Sequence, residues 1–230
     1  SPIFSGIIWN VLTLAFLIWS TSKLLSKFNI DIDKKKKIIL YLCIVSFGPT
    51  ITWMKAGQIS GLLAGCLCLS GATLRSRQDR LSGIITTIGS VIKPFYATSG
   101  AYLLRHRQRF LSAVISGIGV IAIGLLIFGI GTHEKYLIVL FEGKGWGVKN
   151  VGPGNWAADH FEPFYILRPI KHIPRVVIVL ATAGVAMYSN KSKVPIEYIF
   201  ALGIAIIPIA GPTTNTLALN AVIPAILIIG

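Results

Sequence analysis

The sequence predicts an all-α fold, a polytopic helical membrane protein, on three observations. Of the 230 residues, 53% are hydrophobic and only 13% are charged. Soluble domains carry about 25% charged residues. Mean hydropathy is +0.73, and apolar runs long enough to cross a bilayer recur along the whole length. Basic clusters punctuate those runs. A transmembrane β-barrel would alternate apolar and polar residues in strands of about ten, and no such pattern occurs.

The net charge is +14. In a membrane protein, surplus Lys and Arg mark cytoplasmic loops, so no nucleic-acid partner is expected. The cysteines, Cys43, Cys66 and Cys68, lie in apolar runs. Cys66 and Cys68 are two apart, on nearly opposite faces of a helix, which suits packing rather than a shared metal. Residue 1 is Ser, and "AVIPAILIIG" ends inside an apolar run. The expectation is one transmembrane domain over 1–230, incomplete at both ends. The first span lacks the basic start and small-residue cleavage site of a signal peptide.

With a span of about 20 residues as the guide, spans fall at 3–21, 38–54, 58–74, 83–104, 110–131, 173–189, 196–210 and 217–230. "SKFNIDIDKKKK" follows the first, "RSRQDR" the third, "RHRQR" follows Leu104, and "NKSK" follows Ser189. The positive-inside rule places all four in the cytoplasm and residue 1 outside. The expected location is the cell membrane, multi-pass.

"RSRQDR" and "RHRQR" then share a side, although only about one span's worth of chain separates them. The run 82–104 must therefore go in and come back. Pro94 supplies the break, because proline lacks an amide donor and disfavours helix at the residue before it. The turn "IKPFY" lies part-way down, where non-helical backbone needs protein or water around it. Lys93 sits at this turn. A lysine at the centre of a membrane helix costs roughly 3 kcal/mol or more, so it needs a reason.

The same topology puts "WMKAGQ" (53–58) outside as a tight hairpin, with Lys55 and Gln58. The loop of about 132–172 and the turn "GPTTNT" (211–216) are also outside. The outer side thereby collects Lys55, Gln58, Lys93, Asp159, His160, Glu162, Arg168, Lys171, Arg175 and Asn215. The long loop is rich in Gly, Pro and aromatics. Trp146, Trp156, Phe161, Phe164 and Tyr165 suit the interfacial belt, or a platform for carbohydrate or a lipid chain. Asp159, His160 and Glu162 make an incomplete metal set, and no metal is expected. Arg168, Lys171 and Arg175 share a helical face. They either snorkel to headgroups or grip a phosphate.

No phosphate-binding loop, dinucleotide fingerprint, zinc set or nucleophile elbow occurs, and no cofactor is expected. The glycines of "GIGVIAIG" and "GQISGLLAG" are expected to permit close helix packing.

The stretch 55–114, "KAGQISGLLAGCLCLSGATLRSRQDRLSGIITTIGSVIKPFYATSGAYLLRHRQRFLSAV", resembles the central region of glycosyltransferase family 87. The pattern is Gly-Gln opening a Leu-rich span, a basic turn, spaced glycines before "IKP", and a second basic turn. The resemblance implies a C-type membrane glycosyltransferase. Such an enzyme moves a sugar, commonly a hexose such as mannose, from a polyprenyl- or dolichyl-phosphate donor to an extracytoplasmic glycan or glycolipid. It implies substrate-binding roles for Lys93, Lys55, Gln58 and Arg168, and for Asn155 and Asn215 in the later outer segments. It implies inversion, with an acidic general base in an outer loop that precedes residue 1; the catalytic residue is therefore unknown in this chain. Two departures, Phe95-Tyr96 where a second proline is common and "GPTTNT" in the last outer turn, leave sugar and acceptor unspecified. The competing readings are a transporter or flippase of a lipid-linked substrate, which also uses broken helices, and a non-enzymatic scaffold.

Overall fold

The computed structural model describes residues 2–48, 50–51, 54, 59–76, 78–142, 173–189, 193–210, 221 and 223–229. Among these the secondary structure is helical throughout. The helices are α1 (Pro2–Lys27), α2 (Lys34–Ser46), α3 (Ser60–Leu74), α4 (Asp79–Ile92), a 3-10 segment (Pro94–Arg105), α5 (Arg107–Phe128), α6 (Ile130–Glu142), α7 (Ile173–Ser189), α8 (Ile196–Ala210) and α9 (Ile223–Ile229).

Among the described residues, two helices are long and apolar enough to cross a membrane, over Phe4–Lys27 and Arg107–Phe128. The helices α7 and α8 coincide with the predicted spans 173–189 and 196–210, and α3 begins two residues inside 58–74. At 15 and 14 residues, α3 and α4 rise only about 21–23 Å, against a hydrocarbon core of about 30 Å. The expected span 38–54 breaks at Ser46, where Phe47 turns extended (φ −58°, ψ 125°). Its helix begins earlier, because Asp33 caps it by accepting the Lys36 amide at 2.8 Å. That carboxylate also offsets four lysines placed at the positive end of the helix dipole. The expected span 110–131 stops at Phe128, where Gly129 takes φ +74°, a conformation open to glycine. The helix α6 then covers the first part of the predicted outer loop.

The core forms around the 3-10 segment. Tyr96, Tyr102, Leu63, Phe200, Ile204 and Ile207 are buried together between it, α3 and α8. A second cluster joins α1, α2 and α3 through Leu17, Leu24, Ile44, Ala64 and Cys68. Cys68 is buried against Thr21 and Cys66 is half-buried, both free thiols. Small residues let the helices approach: a methyl at Gly65 would meet the Phe16 ring, and one at Gly117 would meet Thr87. The packing expectation does not extend to Gly119, which faces open space. Most of α5 presents apolar side chains outward, Ile115 and Leu126 among them, as a lipid-facing helix should.

The predicted clusters of positive charge gather at one end. The Arg75 guanidinium lies 4.6 Å from the Phe28 ring at the foot of α1. Its Nε meets Glu197 Oε1 of α8 at 3.0 Å. Arg105 donates to the Val194 carbonyl at 2.5 Å, beside Lys193. Arg109 Nε meets Asp79 Oδ1 at 2.6 Å. The ends of α1, α3 and the 3-10 segment therefore meet the starts of α4, α5 and α8, in what is called the basic end below.

Candidate functional site

The hairpin predicted around Lys93-Pro94 is present, and its arms run antiparallel. The ascending arm, α4, ends at Ile92. Lys93 is extended (φ −134°, ψ 100°) while its amide still donates to the Gly89 carbonyl at 3.0 Å. Pro94 opens the return. Its fixed φ and missing donor suit a first helical position. Asp79 beside Arg109, and Ser82 beside Tyr102, show that the arms close back on each other at the basic end.

The return arm is a 3-10 helix for twelve residues, although such helices rarely exceed four. Length accounts for this. Fourteen α residues rise about 21 Å. Twelve α residues would return only about 18 Å, whereas twelve 3-10 residues cover about 24 Å. The tighter helix lets a shorter arm reach the basic end.

Neutral polar groups hold this arm in place. Tyr102 Oη lies 2.6 Å from Ser82 Oγ, 2.9 Å from Ser70 Oγ and 2.9 Å from Thr86 Oγ1, and Ser70 also bonds Thr86. All four residues are buried, and the Tyr102 ring stands edge-on to Phe200. On the other flank, Thr98 donates to the Gly203 carbonyl at 2.9 Å. A methyl at Gly203 would collide with the Thr98 carbonyl oxygen, so glycine is what admits the arm against α8. The hydroxyl cluster escaped the sequence reading because its members are single Ser, Thr and Tyr residues on three separate elements.

At the far end of the hairpin, Lys93 Nζ donates to Ser60 Oγ at 3.2 Å. Ser60 is the first residue of α3, and the preceding Ile59 gives that helix no side-chain cap. The positive end of the α3 dipole therefore adjoins the ammonium. The two sources of positive potential make the spot suited to an anion. The Lys93 backbone sits at the C-terminus of α4, whose carbonyls favour a cation, so the charge is tolerated there.

The depth of this spot follows from the pairing of α1 with α3. Gly65 faces Phe16, Cys68 faces Thr21 and Gly71 faces Leu24. Extending that register places Ser60 level with about residue 12 of α1. About 15 Å of α1 then rises beyond it. Asn10 in that upper stretch donates to the Met54 carbonyl at 3.0 Å, so chain preceding α3 runs up beside α1. Asn10 was also missed, although an amide inside an apolar span is a signal worth reading.

Of the substrate-binding candidates, Lys93 alone lies within the described residues. Lys55, Gln58, Asn155, Arg168 and Asn215 lie outside them, as do Asp159, His160, Glu162 and Lys171. Arg175 falls in the first turn of α7. Among the described residues, no three His, Cys, Asp or Glu side chains gather as a metal set would.

The sequence profile of glycosyltransferase family 87 matches residues 1–225. No curated protein and no solved structure matches the chain. The match spans nearly the whole chain, and the chain belongs to glycosyltransferase family 87. It is a membrane glycosyltransferase by family.

Proposed function

We propose that this member of the family transfers a sugar, a hexose such as mannose, from a polyprenyl-phosphate donor to an extracytoplasmic glycan or glycolipid. In this reading the protein is multi-pass in the cell membrane. The basic end faces the cytoplasm, in keeping with the positive-inside rule, and the Lys93 turn opens to the opposite side. The observation that carries the reading is the Lys93 ammonium on Ser60, beside the uncapped start of α3 and below the top of α1.

The chemistry explains why a cation belongs there. The acceptor oxygen attacks the sugar's anomeric carbon as the bond from that carbon to the phosphate oxygen breaks. The donor phosphodiester carries one negative charge, and the departing polyprenyl phosphate gains a second. The acceptor hydroxyl yields its proton to a general base, which we assign to no residue of this chain. A fixed cation beside the phosphate stabilises the transition state more than the bound donor, because charge is still developing. Lys55, Gln58, Arg168, Asn155 and Asn215 are proposed as further contacts to donor or acceptor, on the grounds that the topology places them on the same side of the membrane as the Lys93 turn.

The test is sugar transfer in membranes containing the protein, with radiolabelled polyprenyl-phosphate mannose and with the glucose analogue as donors. Lys93→Ala should lower transfer about 100-fold or more, the effect of removing a charge-stabilising donor, while the protein remains inserted. Lys93→Arg should retain part of the activity. Transfer by Lys93→Ala near the wild-type rate would overturn the phosphate-binding role.

A further inference from the structure

A cavity of about 340 Å³ lies between α4, the 3-10 segment, α5 and α7. Neither Lys93 nor Ser60 lines it. Its walls include Ala97, Ala101, Leu104, Phe110, Val114 and Ala183. Leu104, Phe110 and Val114 are exposed, so the cavity is a groove open to the surrounding hydrocarbon.

The hydroxyls in the walls are turned inward to the protein. Thr87 donates to the Ala113 carbonyl, Ser90 to the Thr86 carbonyl and Thr98 to the Gly203 carbonyl, while Thr86 belongs to the Tyr102 cluster. Apart from Thr182, the lining left over is apolar, which suits a hydrocarbon chain better than a sugar. The groove starts beside Leu104 and Phe110, which flank the basic turn Arg105–Arg109 directly in sequence. It runs to Ser90, about 15 Å along α4 from Asp79.

Apolar lining alone cannot select an occupant inside a bilayer, because lipid tails are equally apolar. The choice is made by charge at the mouth. His106 and Arg107, between Leu104 and Phe110 in sequence, are exposed, and Arg80 is exposed beside Gln108. The start of α5 has no side-chain cap. Lys193 adjoins Val194, the partner of Arg105. Of the described acids at the basic end, Asp79 is paired with Arg109 and Glu197 with Arg75. Such a mouth complements a negative headgroup.

We infer that this groove holds one acyl chain of an anionic phospholipid of the leaflet at the basic end, with its headgroup phosphate among Arg107, Arg80 and Lys193. This lipid is distinct from the donor, whose phosphate belongs at the opposite end of the hairpin. The inference rests on the groove and its mouth, and stands or falls separately from the role of Lys93.

The experiment is native mass spectrometry of the protein in mild detergent, offered equal amounts of dioleoylphosphatidylglycerol, dioleoylphosphatidylcholine and polyprenyl phosphate. Wild type should retain the phosphatidylglycerol at least tenfold over the phosphatidylcholine. Ala183→Phe, which fills the groove, should lose it. Arg107→Gln, an exposed change that leaves packing untouched, should lower the preference at least fivefold. Lys35→Gln, on α2 across the bundle, should leave it unchanged. Equal retention of the two phospholipids would overturn the inference. So would an equal loss in Lys35→Gln, no loss in Arg107→Gln, or polyprenyl phosphate displacing the phospholipid.

Discussion

The two ends of the hairpin each hold a cation, and the structure treats them differently. At the basic end, Arg109 is 4% exposed and bonded to the Asp79 carboxylate at 2.6 Å, with Nη2 reaching the Leu74 carbonyl at 3.4 Å. At the far end, the Lys93 ammonium meets the hydroxyl of Ser60. The first contact is an ion pair and the second a hydrogen bond to a neutral hydroxyl. The first arrangement fastens the start of α4 to the start of α5, just beyond the return arm. In the proposed reading, the second holds the ammonium where the donor phosphate binds. The residues between them, Ser70, Ser82, Thr86 and Tyr102, are neutral and satisfy one another, which makes them structural.

Substitution at the two cations tests this contrast most severely. Lys93→Ala should lose transfer by about 100-fold or more and keep its thermal midpoint in detergent. Arg109→Ala should do the reverse in kind, lowering stability through the carboxylate left behind. Breaking a buried pair costs about 3–5 kcal/mol. Asp79 retains 32% exposure of its side chain, so about 2 kcal/mol is expected here. Its readout is the thermal midpoint, and Asp79→Leu/Arg109→Met should recover much of it. If both single variants lost only stability, the distinction between the ends would fail.

Next in size is the close approach of the 3-10 arm to α8. Gly203→Ala should cost about 1–3 kcal/mol by overpacking against the Thr98 backbone. Gly119→Ala, facing open space, should stay within about 0.5 kcal/mol. Comparing the two in one thermal assay separates a packing glycine from a bystander. Tyr102→Phe should cost about 1–3 kcal/mol, since Ser70 and Thr86 keep their mutual bond while the buried Ser82 hydroxyl loses its bond to Tyr102. Its transfer rate should change no more than its stability does.

The smallest expected effect is with pH at the basic end. Burial first, then the Arg109 and Arg105 charges, hold the His106 imidazole below its ordinary 6.5, against an opposing pull from Asp79. The unfolded chain then binds more protons in the window below 6.5. Stability from this group is present above that value and declines as pH falls through the window. His106→Gln should flatten that part of the stability–pH curve, measured by thermal midpoints in detergent. An unchanged slope would remove His106 from the account.

What the sequence disclosed, and what it hid, follows from how local each signal is. Lys93-Pro94 announces a break by itself, because a proline and a charge act on their own backbone and their own surroundings. The basic clusters likewise told which helix ends belong together. The twelve-residue 3-10 arm was hidden, since it answers a length mismatch between two arms and no local propensity. Ser60 as the Lys93 partner was hidden too, because α3 and α4 must pair before those side chains meet. The spans at 38–54 and 110–131 were drawn past Ser46 and Gly129, where hydrophobicity continues but the backbone turns. Apolar composition records burial in lipid and is indifferent to such turns.

The most direct test of the central claim is thiol labelling of intact cells with a membrane-impermeant reagent. Lys93→Cys and Arg107→Cys would be compared, each in protein whose Cys43, Cys66 and Cys68 are replaced by serine or alanine. The account predicts that Lys93→Cys labels from outside, and that Arg107→Cys labels only after the membrane is opened. If Lys93→Cys also labelled only after opening, both ends of the hairpin would face one compartment, and the outward donor site would be contradicted.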